Sequence, residues 1–141
     1  MATTTTELAT QLRPALLRMS RAIRSQRVDT SLTLTYLSAL GALVRDGAMT
    51  AGALANVERV QPPSMTKVIA VLEERGLVTR HLNPHDKRQA IIDITPAGRE
   101  LLDTEGAAGE AWLASHLAEL DGDERAALAR VIPILDRLAG V

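Results

Sequence analysis

Apolar positions along this chain fall mostly into helical spacing. Between residues 7 and 27, Leu8, Leu12, Leu16, Met19 and Ile23 recur three and four apart, the repeat of one helix face. At 100° per residue they occupy an arc of about 80°, while Arg13, Arg18, Arg21, Arg24 and Arg27 spread over the opposite side. One face is built for burial and the other for water or anions. Pro14 either lies near the true helix start or kinks the helix, because a proline in a helix interior removes a backbone hydrogen bond. Asp29, Thr30 and Ser31 supply turn and cap chemistry. A second helix follows through Leu34, Leu37, Leu40, Leu43 and Val44 and stops at Asp46-Gly47.

The next stretch changes character. Thr50 is placed to cap a short helix through Ala51, Leu54, Ala55 and Val57, and residues 58–61 form a brief turn. Pro62-Pro63 then open a helix with Val68, Ile69, Val71 and Leu72 on its apolar side and Gly76 at its end. Two short helices joined by a tight turn read as a helix-turn-helix. Residues 77–81 and 90–95 are β-prone, and the polar run Asn83-Pro84-His85-Asp86-Lys87-Arg88 between them is turn-rich. A β-hairpin directly after a helix-turn-helix makes a winged helix.

Thr95-Pro96 restarts a helix that runs through Leu101, Leu102, Trp112, Leu113 and Leu117 to about Leu120. That length is too great for so small a domain to bury alone. Asp121, Gly122, Asp123 and Glu124 cap a last helix, in which Leu128, Val131, Leu135 and Leu138 step three and four residues apart around Pro133. The first helix and the last two therefore carry apolar stripes flanking a small central head, and a second copy of the chain is the simplest cover. The fold class expected is mainly α, with a β-hairpin wing. The whole of residues 1–141 is read as a single domain, with residues 7–28 and 96–139 as dimerisation helices around a head at 32–95.

Composition narrows the chemistry. The 141 residues suit one domain, with hydrophobic residues at 46% and charged residues at 23%. Tyr36 and Trp112 are the aromatics, and a core without Phe favours helices over a β-sandwich. The absence of Cys removes disulfides, thiolate nucleophiles and thiol redox switches together. No apolar run approaches the roughly 20 residues that span a bilayer, and the Thr-rich start is no signal peptide, so a cytoplasmic location without membrane contact is expected. Net charge is −1, but residues 1–99 hold 13 Lys and Arg against 8 Asp and Glu, while residues 100–141 hold 3 against 9. Such asymmetry points to one surface for an anionic partner and another for something else.

The segment ending at Gly98, read as M-T-x-G-x-L-A, P-P-S-M-T-K-V-I-x-x-L-E-x-R-G-L-V-T-R, N-P-x-D-x-R and I-T-P-A-G, resembles the winged helix-turn-helix of the MarR family of bacterial transcription regulators. The flanking helices match in number and order, so the resemblance covers nearly the whole chain. It implies a homodimer, joined through its N- and C-terminal helices, that represses from a pseudo-palindromic operator in double-stranded DNA. Release by a small anionic or aromatic inducer is implied as well, at a site the sequence does not name. Carried over by position, residues 62–75 resemble the recognition helix. Pro63, Ser64, Met65, Thr66 and Lys67 would then face the major groove or its phosphates, with Gln61 at the cap. Arg88 matches the wing arginine that enters the minor groove, and Asp86 the acid that orients it. Thr50, Arg80 and Lys87 complete the candidate DNA-binding set. The dimerisation set is Leu8, Leu12, Leu16, Trp112, Leu128, Val131, Leu135 and Leu138. Gln61 departs from the usual Ser or Asp cap, and Met65 is apolar at a base-facing position.

Physical chemistry supports the same residues. Hydroxyls, a lysine, unpaired backbone N–H groups and the positive dipole end of a helix all suit phosphate oxygens. A Met side chain offers apolar contact to a thymine methyl, and a Gln can pair with an adenine edge. A guanidinium on a narrow β tip fits the negative potential of a narrow minor groove. Other classes find little footing. His81, His85 and His116 are scattered without Cys, so no metal and no cofactor is expected. The adjacent His85 and Asp86 are explained by turn chemistry, so no enzyme is expected. A winged-helix protein-interaction module with incidental DNA affinity is the alternative reading.

Overall fold

The computed structural model describes residues 2–140. In chain order the elements are α1 (Thr5–Arg24), α2 (Leu34–Asp46), β1 (Met49–Thr50), α3 (Ala51–Glu58), α4 (Pro62–Glu74), β2 (Val78–Leu82), β3 (Ala90–Ile94), α5 (Pro96–Leu117) and α6 (Gly122–Ala139). Two compact units form: Val28–Gly106, and the remainder up to Arg27 and from Ala107 onward.

The Val28–Gly106 unit is a mainly helical winged helix. Its core comprises Leu40 and Leu43 of α2, Leu54 of α3, Met65, Ile69 and Leu72 of α4, and Ile92 of β3, all essentially inaccessible to water. Each such side chain contributes roughly 1.5–3 kcal/mol relative to exposure, which fixes how the helices face one another. Val68, Ile69 and Leu72 are buried as the spacing predicts, with Val71 half-buried. The wing is antiparallel, Val78 opposite Ile94 and Arg80 opposite Ile92. Sequence reasoning missed β1, a two-residue strand that pairs Met49 with Ile92 and completes a sheet of order β1-β3-β2. Two residues are too few to show an alternating pattern.

Local chemistry sets the element ends. Thr50 caps α3, its Oγ1 accepting from Ala53 N–H at 3.1 Å, and Thr95 caps α5 by accepting from Gly98 N–H at 3.1 Å. The cap of α2 is Thr33 rather than the 29–31 stretch, and its side chain makes no cap bond. Asp29 instead accepts from Ser31 N–H at 2.9 Å in a local turn. Both helices of the helix-turn-helix finish in one pattern. Leu77 N–H bonds Leu72 C=O and Gly76 N–H bonds Glu73 C=O, as Val60 N–H bonds Ala55 C=O and Arg59 N–H bonds Asn56 C=O. The pattern demands a left-handed residue, supplied by Gly76 at φ 70 and by Arg59 at φ 55. For a residue with a Cβ that conformation costs about 1–2 kcal/mol.

In the other unit, α1 begins earlier than the apolar repeat indicates. Thr4 and Glu7 form a capping box, Glu7 N–H donating to Thr4 Oγ1 at 3.2 Å and Thr4 N–H to Glu7 Oε2 at 2.8 Å. Pro14 lies inside α1 and Pro133 inside α6. Asp121 caps α6 in a second box with Glu124. Gly109 of α5 is buried where Ile23 of α1 lies 3.3 Å from the position of a Cβ.

Candidate nucleic-acid interface

The first turn of α4 is exposed at Gln61, Pro62, Pro63, Ser64, Thr66 and Lys67. Met65 differs. It is 1% exposed, packed in the head's core. The expectation that it meets a thymine methyl is therefore corrected: the 3.6-residue repeat places position 65 on the face shared with Val68, Ile69 and Leu72, which the core claims. The expectation of unpaired backbone donors is corrected too. Pro62 and Pro63 have no N–H, and those of Ser64 and Met65 bond the Gln61 carbonyl at 3.0 and 3.1 Å. The Thr66 hydroxyl donates back to Pro62 C=O at 3.0 Å. Gln61 makes no side-chain cap bond, and among the described residues no hydrogen bond or ion pair engages the Ser64 hydroxyl, the Gln61 amide or the Lys67 ammonium.

The wing tip is a tightly bonded turn. Asn83 N–H donates to Gln89 C=O at 3.1 Å, and Gln89 N–H to Asp86 C=O at 3.0 Å. His85 N–H donates to Asn83 Oδ1 at 2.9 Å. Asp86 Oδ1 accepts from both the backbone N–H and the Nε of Arg88, at 3.0 and 3.1 Å. The Arg88 side chain is nonetheless 91% exposed. Its guanidinium is thus aimed by Asp86 while almost all of it stays available. Hydrogen bonding from the Arg88 side chain, then from its backbone N–H, holds the Asp86 carboxyl below the ordinary aspartate range. Lys87 stands exposed beside the pair.

An open cleft of about 320 Å³ lies beneath the wing and brings together Thr50, Arg80 and Arg88 with Gly52 and Gln89. Arg80 is held from α4, its Nε donating to Glu73 Oε2 at 2.9 Å. Gly52 and Gln89 were not singled out from the sequence, because what places them here is the pairing of β1 with β3. Among the described residues no group of three or more His, Cys, Asp or Glu is placed to hold a metal ion.

The dimerisation candidates lie in the other unit. Leu8, Leu16, Leu128 and Leu138 are exposed, at up to 73% for Leu138, whereas Leu12, Trp112, Val131 and Leu135 are half-buried. Among the described residues, every buried apolar side chain of the core belongs to the Val28–Gly106 unit.

Comparison with known proteins gives a consistent result. Residues 30–89 match the MarR family. An HTH-type transcriptional regulator of Mycobacterium bovis is 45% identical over 118 residues, which span 84% of this chain and 82% of that protein. A transcriptional regulator protein of Pseudomonas aeruginosa, known as a crystal structure, superposes with a TM-score of 0.84 at 33% identity, covering 96% and 95% of the two chains. A MarR family protein from Bacillus stearothermophilus shares the fold, with a TM-score of 0.82 at 21% identity over 96% and 95%. The winged helix-turn-helix, the family match and these relatives place the chain in the MarR family of transcriptional regulators.

Proposed function

We propose that this DNA-binding transcription regulator, which is not an enzyme, acts in the cytoplasm as a homodimeric repressor. Its two winged heads read a pseudo-palindromic operator of about 20 base pairs, with recognition helices in successive major grooves roughly 34 Å apart. The observation that carries this reading is the wing pair, an arginine 91% exposed yet oriented through its Nε and backbone by one carboxylate. That arrangement suits insertion into a narrow minor groove, where negative potential is deepest. Ser64 and Lys67 at the start of α4 supply hydroxyl and ammonium contacts, with Gln61 beside them for a base edge. Exposed apolar residues on α1 and α6 support self-association.

Residues 57–88 hold 6 Lys and Arg against 4 Asp and Glu, so the head supplies little net attraction. Affinity is therefore modest and carried by specific phosphate contacts, and it falls steeply with salt. A small-molecule inducer releases the operator only by binding more tightly to a head arrangement that does not fit the groove spacing.

The test is fluorescence anisotropy on tiled fragments upstream of the chain's own gene and its neighbours, at two salt concentrations, for wild type and Arg88→Ala. Fragment-selective, salt-sensitive binding that Arg88→Ala weakens by about 1–3 kcal/mol is expected. Equal weak binding to every fragment, indifferent to Arg88, would refute it.

A further inference from the structure

Four helices of the described chain stop at a residue with positive φ, and at three of them that residue is glycine: Gly47, Gly76 and Gly140. The fourth is Arg59, in the turn between α3 and α4, at φ 55 and ψ 42. The closing hydrogen bonds there repeat those around Gly76, so the same backbone task is done once without strain and once with it. Strain of this kind persists where something outside the local backbone offsets it.

Val60 anchors the turn against the core, but the Arg59 side chain adds nothing to that. The side chain is exposed, and among the described residues no hydrogen bond or ion pair engages it. Arg45, Arg75, Arg80 and Arg88 each meet a carboxylate, respectively Asp46, Asp29, Glu73 and Asp86. Glu58, the neighbouring acid, is occupied by the Ser38 hydroxyl, which donates to both its oxygens at 3.0 and 2.8 Å. Arg59 lies two residues before Gln61, so its backbone is within about 7 Å of the start of α4. That start lacks the free N–H groups that usually bind phosphate, because Pro62 and Pro63 have none and the next two are taken.

We infer that Arg59 is a DNA-contacting residue that holds a backbone phosphate at the mouth of α4, supplying donors where Pro62 and Pro63 remove the backbone ones. The assignment rests on the reading of α4 as the DNA-facing helix. A guanidinium suits the task, since its fork of donors matches two phosphate oxygens at once. A phosphate contact carries no base information, so Arg59 adds affinity alike on every sequence.

The experiment compares wild type, Arg59→Gly, Arg59→Lys and Arg88→Ala by anisotropy on an operator fragment and an unrelated fragment across a salt series, with thermal unfolding of each. Arg59→Gly is expected to raise Kd about tenfold on both fragments. It should flatten the plot of log K against log salt by about 0.9 for each Arg59 engaged. Its Tm should equal the wild type's or exceed it by a few degrees, because glycine accepts the left-handed turn. Arg59→Lys should keep most of the salt slope. Wild-type Kd and slope in Arg59→Gly, beside a weakened Arg88→Ala, would overturn the assignment and leave the operator reading standing. A lowered Tm with unchanged DNA binding would make Arg59 structural and overturn it equally, and a loss confined to the operator would remove the phosphate. Wild type that selects no fragment, matched by Arg88→Ala, would overturn both readings.

Discussion

Asp86 and Met65 show how differently two motif positions depend on context. The pairing of Asp86 with Arg88 is local, two residues apart in one turn, and the family resemblance of the wing motif implies it. It also carries a pH signature. The folded Asp86 titrates below its unfolded value, so the pair's contribution is complete above the unfolded value and is lost as pH falls through the folded one. The Asp86–Arg88 pair is therefore expected to be fully formed between roughly pH 5 and 8. Carboxyl NMR titration should place the Asp86 midpoint lower in wild type than in Arg88→Ala, and equal midpoints would break this account. Met65 behaves otherwise. Its place in the first turn of α4 is legible, but whether its side chain faces solvent depends on which side of α4 the rest of the head covers.

At the scale of elements, the joint between wing and α5 is set by close approach. A Cβ at Gly98 would lie 2.7 Å from Ile94 Cγ1 and overlap the Leu77 carbonyl oxygen as well. The Leu77 carbonyl cannot swing aside, because it accepts from Thr95 N–H at 3.0 Å. Gly98→Ala is thus expected to destabilise the head by about 1–3 kcal/mol despite the higher helix propensity of alanine. Chemical denaturation would measure it, and wild-type stability would show that the joint relaxes freely. The element boundaries were largely readable in advance, because Gly47, Thr50, Gly76, Thr95 and Asp121 act within one helical turn of themselves. The Thr4 capping box and β1 were not. A threonine-rich start offers several equal caps, and a strand of two residues exists only because β3 is beside it.

At the scale of the whole molecule, the α1, α6 and distal α5 unit leaves Leu8, Leu16, Leu17, Leu128, Ile132 and Leu138 in water among the described residues. A self-complementary interface needs about 800 Å² from each copy, and a two-fold axis makes every substitution act twice. Sedimentation of the wild type is expected to give twice the 15.1 kDa chain mass. Leu128→Glu with Leu138→Glu should raise the dimer dissociation constant at least about tenfold, with the unfolding of the head unchanged. A double variant that sediments as the wild type does would place the self-contact elsewhere.

The sequence by itself determined the order of the helices, the helix-turn-helix with its wing, most of the caps and the family, because each follows from contacts within a few residues or from a motif read in a line. Only the tertiary structure decided that Met65 turns inward, that the pairing of β1 with β3 brings Thr50 to one cleft with Arg80 and Arg88, and that the turn into α4 strains an arginine where glycine would rest. These outcomes depend on burial, strand pairing and backbone torsion, which arise between elements and leave no periodic trace along the chain.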